Sequence, residues 1–262
     1  MSKENRVYEY SDVYNDDFAE TKLERPSVPE NYVYIRKGFF RRLFSWILYY
    51  LICIPILWIV GKIWVGTKVV NRKQVKKLKH TGYCIYSNHT HYLDAFVPQV
   101  FVSRPKRTNI LGYVDALTIP VAKHIVKGIG LIPVDKDPKS LIKMTEAINH
   151  YLDEKEAILI FPEAHIWPYY NGVRPLKSGP FRYPALKHLP MLAICSVWRK
   201  VWYSKKPKQT IYVSEPFFYD DKLSEHENCD LYTKKTYDFY CETMAKHGSY
   251  QYIKYVKKDK DE

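Results

Sequence analysis

Asn88, His89, His91 and Asp94 fall together in the run Asn-His-Thr-His-Tyr-Leu-Asp. An imidazole held at one ring nitrogen by a carboxylate offers the other as a base near neutral pH. A histidine just before a helix and an aspartate within that helix's first turn can make such a pair, and His89 and Asp94 fit that spacing. They would be two members of a catalytic triad, with a substrate hydroxyl in place of the serine. Other readings use the same residues. His89 could be an ordinary hydrogen-bonded residue at a strand end. His89, His91 and Asp94 could also supply nitrogen and oxygen ligands to a metal ion, as in a metal-dependent hydrolase. However, Leu93 stands where the aspartate of an HxHxDH motif would fall. No GxSxG elbow offers a serine nucleophile. Cys84 and Cys195 lie inside apolar runs and read as small buried hydrophobes, and the odd, scattered set of five cysteines fits a reducing setting.

The elements that must carry this cluster are legible around it. Short apolar runs at Tyr83 to Ser87, Asn109 to Val114, Gly130 to Val134, Ala157 to Phe161, Met191 to Val197 and Ile211 to Val213 predict strands. Leu141, Met144, Ile148, Tyr151 and Leu152 recur at helical spacing after Ser140, a candidate N-cap. This alternation predicts an α/β domain over residues 71–250, a sheet flanked by helices, with the polar cluster released at the C-terminal end of its first strand. Open α/β sheets form their ligand crevices at that edge.

Residues 1–35, rich in charge and proline, read as a flexible arm without a secretory signal, and residues 251–262 as a charged tail. Residues 36–70 read as a membrane-associated helical segment. Leu43 to Gly61 lacks any charged side chain and would be ~28 Å long as a helix at ~1.5 Å per residue, against a hydrocarbon layer of ~30 Å. Pro55 interrupts it and the basic flanks are balanced. That combination predicts two short helices broken near Pro55, dipping into one leaflet with the active site on the cytosolic side. A single span is the runner-up. The formal net charge of +13 favours anionic partners: a membrane leaflet, acidic carriers or phosphorylated substrates. Nucleic acid is not expected, because the lysines are dispersed and no nucleic-acid-binding motif is present.

The run NHTHYLD resembles the NHxSxxD first motif of the PlsC-type glycerolipid acyltransferases, which include the 1-acylglycerol-3-phosphate (lysophosphatidate) acyltransferases. Three further blocks follow in the family's order. Gly130 to Lys136, GLIPVDK, is similar to the second motif. Phe161 to Ala164, FPEA, is similar to the third, FPEGTR, and Leu189 to Ile194, LPMLAI, to the fourth, VPIVPV. The match covers about half the chain, from Tyr83 to Pro216.

The resemblance implies a glycerol-3-phosphate acyltransferase-like fold and transfer of an acyl chain to a lysophospholipid hydroxyl. The donor would be a thioester of coenzyme A or acyl carrier protein, without metal or prosthetic group. It makes His89 the general base, Asp94 its orienting partner and Lys136 a phosphate contact, with Asn88 and Glu163 in the substrate-binding set. This chain departs from the pattern in two places. Lys136 replaces an arginine and loses its two-pronged grip on phosphate. Ala164, His165 and Ile166 replace the third motif's glycine, threonine and arginine. Arg174 is a candidate to take over the lost phosphate contact, Lys177 belongs to a block similar to KKGAF, and His165 is a possible acceptor contact. Trp167 and Tyr169 could line an entrance, whereas Tyr170 reads as packing. The eroded third motif keeps open a catalytically silent, lipid-binding relative.

Overall fold

The computed structural model describes residues 6–18, 27–113 and 128–258. Val114, the rest of the arm (1–5 and 19–26) and the end of the tail (259–262) lie outside the described residues.

Seven strands form one sheet in the order β2 (Lys68–Val70), β8 (Ser204–Val213), β7 (Met191–Val201), β3 (Tyr83–Ser87), β6 (Ala157–Ile160), β4 (Thr108–Tyr113), β5 (Leu131–Val134). Every pairing is parallel except β7 with β8, so the sheet is mixed, within the α/β class that the sequence predicts. Period-two alternation sorts the side chains of β3. Cys84 and Tyr86 enter one core with Ile148, Leu152 and Ile158, beneath α2 (Pro138–Asp153). Tyr83 and Ile85 enter the opposite core with Leu159, Leu192 and Ile211. Helix α2 starts ahead of the expected Ser140 cap. Asp137 accepts from the Ser140 amide, and Pro138 supplies a preset first helical residue.

The arm is not loose where it is described. Arg6–Tyr10 forms β1, paired in parallel with β9 (Ile253–Lys257), so the expected tail is also partly strand. Tyr8, Phe18 and Tyr255 pack ring against ring, and burial of aromatic surface offsets the ordering of a polar segment.

The apolar segment also differs from expectation. It runs as one helix, α1, from Phe39 to Val65, 27 residues long and apolar enough by length and composition to cross a membrane. It is not a hairpin. Pro55 sits at the start of an α-helical stretch, directly after a π-helical turn over Leu48–Cys53. The wider turn accommodates a residue that lacks an amide hydrogen, and the chain continues without reversing. One side of α1 is fastened to the domain along its length. Near its start, buried Arg107 donates to the Ser45 hydroxyl at 2.9 Å. At mid-helix the Tyr49 hydroxyl accepts from the Thr108 amide at 3.1 Å. Near its end, a Cβ on Gly61 would collide with the Phe101 ring. The other side, including Phe40, Phe44, Leu51, Ile56, Ile59 and Trp64, is exposed.

Candidate active site

Strand β3 ends at Ser87, and the next residue locks the crevice edge. Both ends of the Asn88 amide are engaged by the backbone of Ser196 on β7: Nδ2 donates to its carbonyl at 3.0 Å and Oδ1 accepts from its amide at 2.7 Å. Asn88, expected in the substrate-binding set, thus acts as a peptide-like staple between strands, with both amide atoms engaged by the Ser196 backbone.

His89 follows at the rim, with 14% of its side chain accessible, while the Asp94 side chain is 1% accessible. His89 Nδ1 lies 3.7 Å from Asp94 Oδ2, beyond hydrogen-bond length, and is buried with no other partner. The ring stacks on Phe161 at 4.1 Å between centroids, which fixes its plane. Asp94 sits in a single turn of helix, Tyr92–Ala95, capped by His91. Its Oδ2 accepts from the amides of Thr90 and His91, both at 2.7 Å, and its Oδ1 from Gln209 Nε2 at 2.8 Å. The carboxylate is therefore held from both oxygens before any ligand arrives. Dyad contacts of this kind are often long until substrate binds.

No local sequence pattern marks Gln209, on β8, as a site residue. Fully buried, it also donates to the Ser196 hydroxyl at 3.1 Å and accepts from Thr67 Oγ1 at 3.2 Å. Thr67 stands two residues past the end of α1 and its amide donates to the Gly61 carbonyl at 2.9 Å, so a continuous polar chain runs from the apolar helix to Asp94.

His91 does not turn toward a shared ion. Its Nδ1 accepts from the Leu93 amide at 3.1 Å, and its ring faces Tyr169 and Trp198. Among the described residues no group of three histidine, cysteine, aspartate or glutamate side chains is placed to hold a metal. The three-ligand alternative is thus not assembled. Burial pushes the Cys84 thiol up to about 12 and the Cys195 thiol well above its usual range, so neither offers a thiolate nucleophile.

The third-motif loop packs directly behind His89. Glu163 Oε2 accepts from the His89 amide at 3.2 Å, and the same oxygen takes Arg174 Nε at 3.2 Å and Nη2 at 2.5 Å. Arg174 also donates to the His165 carbonyl and lies over Trp167 at 5.0 Å. Its side chain is 1% accessible. The guanidinium therefore stands behind Glu163 and not at the surface where a headgroup would arrive, because an unpaired buried carboxylate would be far costlier than the pair. Ala164 keeps a left-handed backbone, φ 65°, at the position where the related motif carries glycine. Trp167, expected near an entrance, is buried against Tyr10, Phe18 and Tyr255. His165 pairs through Nδ1 with Asp17 of the arm at 3.3 Å, a partner 148 residues away that spacing could not reveal. Lys136 and Lys177 are exposed.

A cavity of about 710 Å³, lined by Arg36, Trp46, Tyr50 and Arg107 among others, lies by the residues that precede β4 and β6, at the sheet edge opposite His89.

A family model described as Acyltransferase matches residues 66–197. No curated protein matches the chain. Among solved structures, the fold is similar to that of the 1-acyl-sn-glycerophosphate (LPA) acyltransferase PlsC from Thermotoga maritima. The TM-score is 0.58 at 14% sequence identity, covering 75% of this chain and 81% of that one.

Proposed function

The chain belongs to the acyltransferase family, and from that premise we propose that it acylates the free hydroxyl of a lysophospholipid, 1-acylglycerol-3-phosphate, to give phosphatidic acid. The donor is an acyl thioester of coenzyme A or acyl carrier protein. One observation carries the reading: a buried, unpartnered His89 Nδ1 faces a carboxylate that four other groups of the protein already hold still. With Nδ1 turned toward Asp94, Nε2 is the nitrogen left for substrate.

In the proposed reaction Nε2 takes the proton of the acceptor hydroxyl as its oxygen attacks the thioester carbonyl. Asp94 stabilises the imidazolium, and the tetrahedral intermediate collapses with loss of the thiol, which leaves with that proton. Glu163, braced by Arg174, holds the backbone of His89 in place. Lys136 and Lys177 form the exposed basic rim that meets the acceptor phosphate, and the exposed side of α1 rests in the cytosolic face of a membrane. A helix fastened to the domain from Ser45 to Gly61 could not cross the bilayer without dragging buried Arg107 into it, which supports an in-plane position.

The test is direct. Purified protein is incubated with labelled acyl-coenzyme A or acyl carrier protein and a panel of lysolipids, and products are identified by mass spectrometry. Phosphatidic acid from 1-acylglycerol-3-phosphate is expected. Lys136→Ala with Lys177→Ala should raise KM for that acceptor roughly 10-fold with little change in kcat, while leaving KM for an uncharged monoacylglycerol alone. Acylation of unphosphorylated acceptors only would remove the assignment.

A further inference from the structure

Strand β7 does not stop at the active site. Trp198 donates through its indole nitrogen to Thr90 Oγ1 at 2.9 Å, and the strand then runs on outward to a two-residue turn at Trp202 and Tyr203. Two-residue hairpin turns ordinarily carry asparagine and glycine, which accept the positive φ the turn prefers. Trp202 and Tyr203 have no such φ and do nothing for a core: they are 96% and 59% exposed. A shift of register between Arg199 and Val201 re-aims the tip.

The charge around the tip is one-sided. From Arg199 to Lys208 the sequence RKVWYSKKPK holds five cations and no acid. Arg199 and Lys208 have structural work. Arg199 donates to Thr210 at 2.9 Å, and Lys208 Nζ donates to the Trp64 carbonyl at 2.7 Å, tying the hairpin to the end of α1. Lys205 and Lys206 stand exposed beside the aromatic tip. A cavity of about 430 Å³ opens there, lined by Lys200, Trp202, Tyr203, Lys205, Pro207 and Tyr250. An aromatic pair set among lysines, on a hairpin tied through Lys208 to the end of an exposed apolar helix, matches the chemistry of an anionic bilayer surface: phosphates outermost, then the glycerol region where indole and phenol settle.

We propose that the β7–β8 hairpin is a second membrane contact, in which Trp202 and Tyr203 insert into the headgroup region of an anionic leaflet and Lys205 and Lys206 pair with lipid phosphates. Together with α1 it fixes two points of the domain on the bilayer, and so turns the sheet edge that carries His89 toward the lipid. This rests on the protein working at a membrane surface.

The test places an environment-sensitive fluorophore on Tyr203→Cys in the full-length protein, in a Cys229→Ser, Cys241→Ser background. A control label goes on Lys222→Cys, an exposed residue beyond β8. The proteins are reconstituted in nanodiscs of phosphatidylglycerol and phosphatidylcholine with brominated acyl chains. Blue-shifted emission and bromolipid quenching several-fold stronger at position 203 than at 222 are expected, and Lys205→Glu with Lys206→Glu should cut that difference at least by half. A nanodisc-bound protein whose 203 label is quenched by aqueous iodide as readily as the 222 label overturns the hairpin proposal alone. A protein that does not associate with nanodiscs overturns the membrane reading as well.

Discussion

Gln209 Nε2 donates to Asp94 Oδ1 at 2.8 Å, joining β8, one of the two strands that run against the other five, to the acid of the proposed dyad. The hydrogen bond is to a charged group inside the protein, where loss of one partner is felt in the position of the other. Gln209→Leu should therefore lower kcat by about 10- to 100-fold, the effect of ~1.5–3 kcal/mol on a barrier, with KM for the acceptor changed little. Thr67→Ala should act in the same direction and less strongly. A loss of kcat that merely tracked a loss of thermal stability, with KM for the acceptor raised as well, would mark Gln209 as mere packing.

His89→Ala should lower turnover by ~10³-fold or more, and Asp94→Asn by a comparable factor. Neither change should prevent the protein from binding acyl-coenzyme A, which calorimetry would read. A normal rate of product formation by the alanine variant would mean that another group is the base.

Arg174→Met leaves Glu163 buried without its cation, so it should destabilise the fold by about 3–5 kcal/mol. The paired change Arg174→Met with Glu163→Gln should recover much of that loss, as measured by thermal unfolding. If Arg174→Met instead left stability intact and raised KM selectively for phosphorylated acceptors, the guanidinium would be a headgroup contact after all.

Ala164 holds φ 65° without being glycine. An alanine in this region is strained by roughly 1 kcal/mol, partly offset by the greater freedom that glycine gives the unfolded chain. Ala164→Gly should raise Tm by about 1–3 °C. A lower Tm would show that contacts of the Ala164 methyl group outweigh the strain.

Much of this architecture could be read from local pattern. Five of the predicted strands are short, mostly buried apolar runs, and each starts within one residue of the expected position, with Val114 outside the described residues. The β7–β8 hairpin was seen only in part, because its outer half is lysine-rich and solvated, without an apolar stripe. Helix α3 (Glu225–His247) carries no clear sequence signal for a related reason. It buries Asn228, Tyr232, Thr236, Tyr240 and Met244, an i, i+4 stripe in which polar residues interrupt the hydrophobic period.

By itself the sequence determined the types and local spacing of the chemistry: a histidine and an aspartate a few residues apart, at the end of an apolar strand. Short-range geometry of a strand end and a single turn allows that much, since the residues involved are near neighbours in the chain. Tertiary structure alone decided what steadies them. Gln209 reaches Asp94 across 115 residues of chain, Asp17 reaches His165 across 148, and Arg174 turns inward to Glu163 and away from solvent. Such partners are chosen by strand order and burial, which depend on the whole chain folding at once and leave no periodic mark on any one segment.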